Sequence, residues 1–210
     1  MIKTSATPNF EYRMREKCKR WNLKGVEAIT GATIIKRLKL LQTRVAPKVS
    51  SAVLSTLFNR WCTPRRFQNR SSPLNRCLLG CPPLAEDSIE HYAHCKCIRQ
   101  AAIRFLAIPA SCEINMQHFM LASDTLKDAD ILVCTAILIY AAYTATNIVR
   151  ERGAAPLEEN DAFELVKQCC RNGVKGHGDC MKLLDGRWPN ADSSRRRTAH
   201  ATLRDHSSDE

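Results

Sequence analysis

Apolar residues along the chain recur at intervals of three and four and almost never alternate, a period that predicts helices and little sheet. Over 32–44, Ile34, Ile35, Leu38 and Leu41 share one face, with Lys36, Arg37, Lys39 and Arg44 around it. Pro47 ends that helix or starts the next, because its ring fixes φ and removes a donor. The next helix spans 48–61, with Val49, Val53, Leu57 and Trp61 at spacings of four. Residues 63–76 (TPRRFQNRSSPLNR) carry two prolines and no apolar period, and read as a loop. Pro82-Pro83 forces a turn. Asp87 or Ser88 can cap a helix that starts near Ile89 and runs through SIEHYAHCKCIRQAAIRFL to about Leu106, with Pro109 as the stop. A short helix is expected over 113–121. Asp124 is the expected cap of a long apolar helix over 125–151, closed by Gly153. A last helix over 156–173 opens with acidic residues and stops at a glycine. From 174 onward the chain is rich in Gly, Ser, Asp and Arg without apolar period, and disorder is expected there. The fold class that follows is mostly α: a small, irregular helical domain with disordered termini.

The segment 131–149 (ILVCTAILIYAAYTATNIV) runs 19 residues without a charge, near the length a bilayer requires. Its threonines, Asn147 and alanines dilute it, and Asp124, Asp128, Asp130 and Arg150 flank it. A buried core helix is the expectation, with no membrane partner.

Charge changes the picture more than composition does. The formal net charge is +11, but residues 1–76 carry 17 Lys/Arg against 3 Asp/Glu, whereas 77–210 carry 15 against 18. A positive field confined to the first third suits a polyanion. Within it, EYRMREKCKRWNLK (11–24) interleaves Tyr12, Trp21 and Leu23 with basic residues. The basic loop adds Arg60, Arg65, Arg66, Arg70 and Arg76 as candidate phosphate contacts, with Phe67 or Trp61 available to stack on a base. For Trp61 the core is the preferred place. Arg195, Arg196 and Arg197 form a second, weaker basic run.

The chain holds 11 cysteines, and its opening residues, MIKTSATPNFEYRMREKCKRW, lack the apolar region of a secretory signal. A reducing, intracellular compartment, nuclear or cytoplasmic, is expected. There, clustered thiols more often bind metal than pair with each other. Four cysteines, Cys77, Cys81, Cys95 and Cys97, fall within 21 residues. In CLLGCPPLAEDSIEHYAHC (77–95), Cys77 and Cys81 flank a turn in which Gly80 permits a left-handed backbone. His91 and Cys95 stand at i and i+4 of the expected helix, hence on one face. Three thiolates and a neutral imidazole are a tetrahedral set for structural Zn2+, with a formal charge near −1 and no position left for water or substrate. His94 stands as the substitute for His91 and Cys97 for Cys95. The chain then divides into a basic helical region (1–76), a zinc-binding knuckle and helix (77–110), a helical bundle region with the long apolar helix (111–173) and a flexible tail (174–210).

RWCTPRRFQNR (60–70) followed by CLLGCPPLAEDSIEHYAHC (77–95) resembles the C-terminal cysteine/histidine region of non-LTR (LINE-type) retrotransposon reverse transcriptases. Glu86-Asp87, Ile89, His91, Tyr92 and Cys95 match the order of that pattern, and the resemblance covers about residues 55–110. It implies Cys77, Cys81, His91 and Cys95 as zinc ligands and a nucleic-acid partner. The polymerase itself is not expected: no Tyr-x-Asp-Asp turn, indeed no Asp-Asp pair, occurs, and endonuclease acids, a P-loop, a nucleophile elbow and a dinucleotide fingerprint are absent. The expected function is a non-catalytic, RNA- or DNA-binding fragment with structural zinc. The alternative is a helical protein-interaction module with structural zinc, self-associating through the 125–151 helix; a relic that never folds stably is a third possibility.

Overall fold

The structure is a computed structural model and describes residues 8–21, 23, 31–64, 75–82, 84–153, 155–175, 177 and 180. Among these residues it is helical with no strand, as the period of three and four requires. The expected disorder of both termini falls outside the described residues, apart from their inner edges.

Helix α1 (Pro8–Arg20) turns the basic, aromatic-studded stretch into an amphipathic element. Met14 and Cys18, at i and i+4, are its buried seam, and it packs on α2 (Gly31–Arg44). Helix α3 (Pro47–Leu57) starts on Pro47, as the missing donor of proline favours. It stops four residues before Trp61, the expected end. Asn59, at φ 52°, takes the left-handed position, the Asn59 N–H donates to the Thr56 carbonyl (2.9 Å) and the Arg60 N–H to that of Ser55 (2.7 Å). That pair of bonds is a Schellman closure of a helix C-terminus.

The single helix expected from Ile89 to Leu106 is not formed. The chain makes one turn, α4 (Ile89–Tyr92), breaks at Ala93 and His94, and restarts as α5 (Lys96–Arg104). Cys95 stands at the N-cap of α5 with φ −59° and ψ 131°, so His91 and Cys95 do not share a helical face. Ser88 is the cap of α4: its Oγ accepts from the His91 N–H at 3.1 Å. Helix α6 (Met116–Phe119) is shorter than the 113–121 expected. The long apolar helix, α7 (Ala129–Glu151), begins after a 3-10 turn over Asp124–Lys127 that buries Leu126. Its cap is therefore Asp128, whose Oδ1 accepts from the N–H groups of Asp130 (2.8 Å) and Ile131 (3.2 Å), and not Asp124. Helix α8 (Glu159–Val174) starts three residues later than expected and runs through Gly173. That glycine is not a stop. A β-carbon there would lie 3.0 Å from Cδ1 of Tyr140, so the residue lets α8 close on α7.

Helix α7 is the axis of the fold, with α8, α3, α5 and α2 packed around it. It is long and apolar enough to cross a membrane, but 67% of its most apolar stretch is buried among these neighbours, the environment of a core helix. Tyr140, Tyr143, Thr144, Asn147 and Ile148 keep partial exposure on it. Trp61 is fully buried: it stacks on Tyr92 (centroids 5.6 Å apart, 30° between planes) and meets Tyr143 edge-on at 5.5 Å. Its indole N–H donates to Thr56 Oγ1 at 2.9 Å, which satisfies the one polar atom it takes inside.

Candidate metal centre

The turn 77–82 and the α4–α5 break meet head-on. Cys77 and Cys81 bracket Leu78-Leu79-Gly80, and Gly80 adopts φ 75°, the left-handed bend that turns both thiols inward. Side-chain space reinforces that need: a β-carbon on Gly80 would sit 2.8 Å from Cα and 2.9 Å from N of Glu159, at the start of α8. The turn is closed by its own backbone. The Cys77 N–H donates to the Ala85 carbonyl (2.5 Å), the Ala85 N–H to that of Pro82 (2.9 Å), and the Leu79 N–H to Cys77 Sγ (3.4 Å). It is also tied to the rest of the fold, because the Leu157 N–H donates to the Leu78 carbonyl at 3.1 Å.

From the other side, α4 brings His91 and the N-cap of α5 brings Cys95. The broken helix does what an unbroken one was expected to do. Extended ψ at Cys95 swings its thiol back toward the turn instead of along the helix. Cys95 Sγ lies 3.5 Å from Cys81 Sγ and 3.9 Å from Cys77 Sγ, and the ligand atoms of Cys77, Cys81, His91 and Cys95 all lie within 4.8 Å of one another. A tetrahedral metal with metal–sulfur bonds of about 2.3 Å has sulfur–sulfur edges of about 3.8 Å, so these separations fit a shared ion. They are far from a disulfide, whose sulfurs stand about 2.05 Å apart. Nε2 of His91 is buried with no hydrogen-bond partner. A buried nitrogen without a partner is costly, and a cation at the centre of the thiols would satisfy it. This cluster could hold a metal ion. His94 is exposed, and Cys97, though buried, lies outside the group.

The electrostatics favour entry of a cation. Hydrogen bonds from Cys77 and then Cys95 pull the Cys81 thiol far below its usual range, while the same bonds with Cys77 and Cys81, and burial, push Cys95 up. For His91, burial alone would lower the imidazole. The Cys77 and Cys81 sulfurs beside it and their charges outweigh that and raise it to about 9. A metal ion would bind these thiols deprotonated and the imidazole neutral, so its entry would release protons. Cys97 is driven up to about 12, first by burial and then by Cys77 and Cys81, and stays a thiol.

Behind the ligands lies a support that the sequence did not mark as one. Asp87, fully buried, accepts from the Tyr92 hydroxyl (2.7 Å) and from Arg150 of α7, at 3.2 Å from Nε and 2.5 Å from the second guanidinium nitrogen. The Tyr92 hydroxyl in turn accepts from the Leu78 N–H inside the turn (3.4 Å). The only hint in the sequence was the Glu86-Asp87 pair; its partner lies 63 positions away. On the outer side, Lys96 (2.8 Å) and Gln100 (3.2 Å) of α5 hold Glu159 of α8.

The expected nucleic-acid residues fare differently. Arg60 and Arg76 are exposed, at the two ends of the basic segment. Arg65, Arg66, Phe67 and Arg70, like Arg195, Arg196 and Arg197, lie outside the described residues. Trp61 is a core residue and cannot stack on a base. Set against protein-family models, curated proteins and solved structures, the chain matches none.

Proposed function

We propose that the chain is a non-catalytic nucleic-acid-binding fragment of the kind found at the C-terminus of retrotransposon reverse transcriptases, in which a structural zinc ion presents a basic segment to RNA or DNA phosphates. The observation that carries it is the convergence of three thiols and an imidazole within 4.8 Å, with His91 Nε2 left unsatisfied. Sulfur-rich sets of this kind select zinc over harder divalent cations, and four protein ligands complete a tetrahedron. The zinc role is then structural: it fastens the turn 77–82 to the start of α5.

What zinc would do for binding follows from the neighbours. Trp61 stacks on Tyr92, and the Leu78 N–H reaches the Tyr92 hydroxyl. Both ends of the basic segment, at Trp61 and at Cys77, are thereby fixed to one side chain beside the metal cluster. A segment with fixed ends loses less entropy on binding than a free one. Arg60, Arg65, Arg66, Arg70 and Arg76 would meet phosphates and Phe67 a base, with little dependence on sequence and strong dependence on salt.

Two measurements test this. Purified protein is expected to hold about one zinc per chain, absent from Cys77→Ser. It is expected to be retained on heparin and on single-stranded RNA, to elute as salt rises, and to be weakened by Arg65→Ala with Arg66→Ala. Wild-type protein that carries no zinc, or that fails to bind RNA or DNA at low salt, overturns the reading. A stable oligomer without retention supports the protein-interaction module instead.

A further inference from the structure

The fold joins charged residues that the sequence keeps far apart. Lys17, on α1, and Arg60, just after α3, stand over the same ring: Lys17 Nζ and Arg60 Cζ each lie 5.5 Å from the centroid of the partly exposed Phe58. Phe10 holds that ring edge-on at 6.4 Å. The left-handed turn at Asn59 that closes α3 is what folds Arg60 back over it. Lys17 Nζ also donates to the Leu57 carbonyl, one of the orphan acceptors at the end of α3. Arg13 and Arg20 lie four before and three after Lys17 on α1, so the three form a strip along one edge of the helix.

We propose that Arg13, Lys17, Arg20 and Arg60, with Lys17 and Arg60 over Phe58 and Arg20 over Trp21 (5.4 Å), form a second anion-binding clamp that grips backbone phosphates of the nucleic acid. The proposal rests on the nucleic-acid reading above and extends it to α1, outside the metal-anchored segment. Charge complementarity identifies the occupant. Among the described residues none of the four cations has a carboxylate partner, whereas the nearest acid on the helix, Glu16, is taken by Lys19 at 2.9 Å. Burial, then the charges of Arg20 and Arg13, hold Lys17 down to about 8, as expected for cations crowded without counter-charge. Aromatic contacts to Lys17 and Arg60 hold their charged heads in place at modest cost. Arg60 belongs both to the clamp and to the candidate phosphate contacts of the basic segment.

The test uses the full chain, zinc-loaded, with a fluorescein-labelled oligouridine and anisotropy across a salt series. Arg13→Gln with Arg20→Gln changes two exposed side chains, and adding Lys17→Gln completes the strip. The slope of log Kd against log salt is expected to fall by about 0.7 for each phosphate that the variant no longer neutralises, and affinity at low salt to weaken by about tenfold or more in the triple variant. Lys127→Gln, Arg152→Gln and Lys167→Gln together remove equal charge elsewhere and are expected to change the slope far less. If wild type binds and the triple variant matches this control, the clamp is wrong while the nucleic-acid reading stands. If wild type does not bind RNA at low salt, both fall. If the strip governs retention on phosphatidylserine vesicles and not on RNA, the nucleic-acid occupant is overturned in favour of a membrane surface.

Discussion

Asp87 and Arg150, 63 positions apart, meet at 2.5 Å behind the candidate metal centre, with the carboxylate fully buried and the guanidinium nearly so. This pair fastens the turn-and-helix unit to the central helix α7. A second hydrogen bond from Arg150 to Asn147 Oδ1 (3.0 Å) orients the guanidinium on its own helix.

Removing one partner of a buried pair strands the other without compensation, at about 3–5 kcal/mol. Arg150→Ala is expected near the lower end, since its side chain keeps 13% exposure. Asp87→Ala is expected to cost at least as much and also to release the Tyr92 hydroxyl. Urea midpoints at unchanged m-value measure both; a shift below about 1 kcal/mol contradicts an anchoring role.

Gly80→Ala combines a left-handed φ of 75° with a β-carbon 2.8 Å from Glu159 Cα. The backbone term alone costs about 1 kcal/mol or more for a residue with a β-carbon. The clash falls on backbone of α8, which cannot rotate away. The expected outcome is a loss of about 2 kcal/mol or more together with lower metal occupancy. Gly153→Ala is the comparison, since φ is 60° there but nothing lies within 4 Å, so only the backbone cost applies.

On the zinc reading proposed above, a chelator is expected to lower the Tm of protein loaded with zinc by roughly 4–8 °C, the equivalent of about 2 kcal/mol for a chain of this size. The same chelator is expected to leave Cys77→Ser unmoved. The core around α7 is built without the metal, so partial loosening of 77–95 is expected and not global unfolding. Amide exchange of the turn and α4 distinguishes the two.

His118 supplies a pH dependence away from the candidate metal centre. Its ring is buried, with Nδ1 3.1 Å from Asn115 Oδ1 and Nε2 2.9 Å from Thr125 Oγ1. Asn115 Oδ1 also accepts from the Gln117 N–H, which makes it an acceptor and assigns the ring proton to Nδ1. Burial, then the charge of Arg37, lowers the imidazole from 6.5 to about 4. Between those values the unfolded chain binds a proton and the folded one does not, so stability rises with pH across that window. It is fully present above about 6.5 and is lost as pH falls toward 4. His118→Gln is expected to flatten this part of the stability–pH curve; an unchanged slope contradicts the assignment.

Trp61→Ala is expected to cost about 3–5 kcal/mol, as for other fully buried large aromatics. Near-ultraviolet dichroism would report the missing stack on Tyr92. A Trp61 change that altered RNA affinity in a fully folded variant would contradict its place in the core.

The amino-acid sequence by itself determined the helical class, the apolar faces of α2 and α3, the long apolar helix α7, and the candidate metal group of Cys77, Cys81, His91 and Cys95. Those are local properties: period, proline and glycine positions, and ligand types at short range. It could not determine the break at Ala93 and His94, because no proline or glycine marks it and the apolar period runs straight through. The tertiary structure makes Cys95 extended, and through it the thiol reaches those of Cys81 and Cys77, 14 and 18 positions back. The Asp87–Arg150 pair, the approach of Gly80 to α8 and the sharing of Phe58 by Lys17 and Arg60 were likewise decided by tertiary structure. Each joins residues on separate helices, and local spacing carries no information about which helix packs against which.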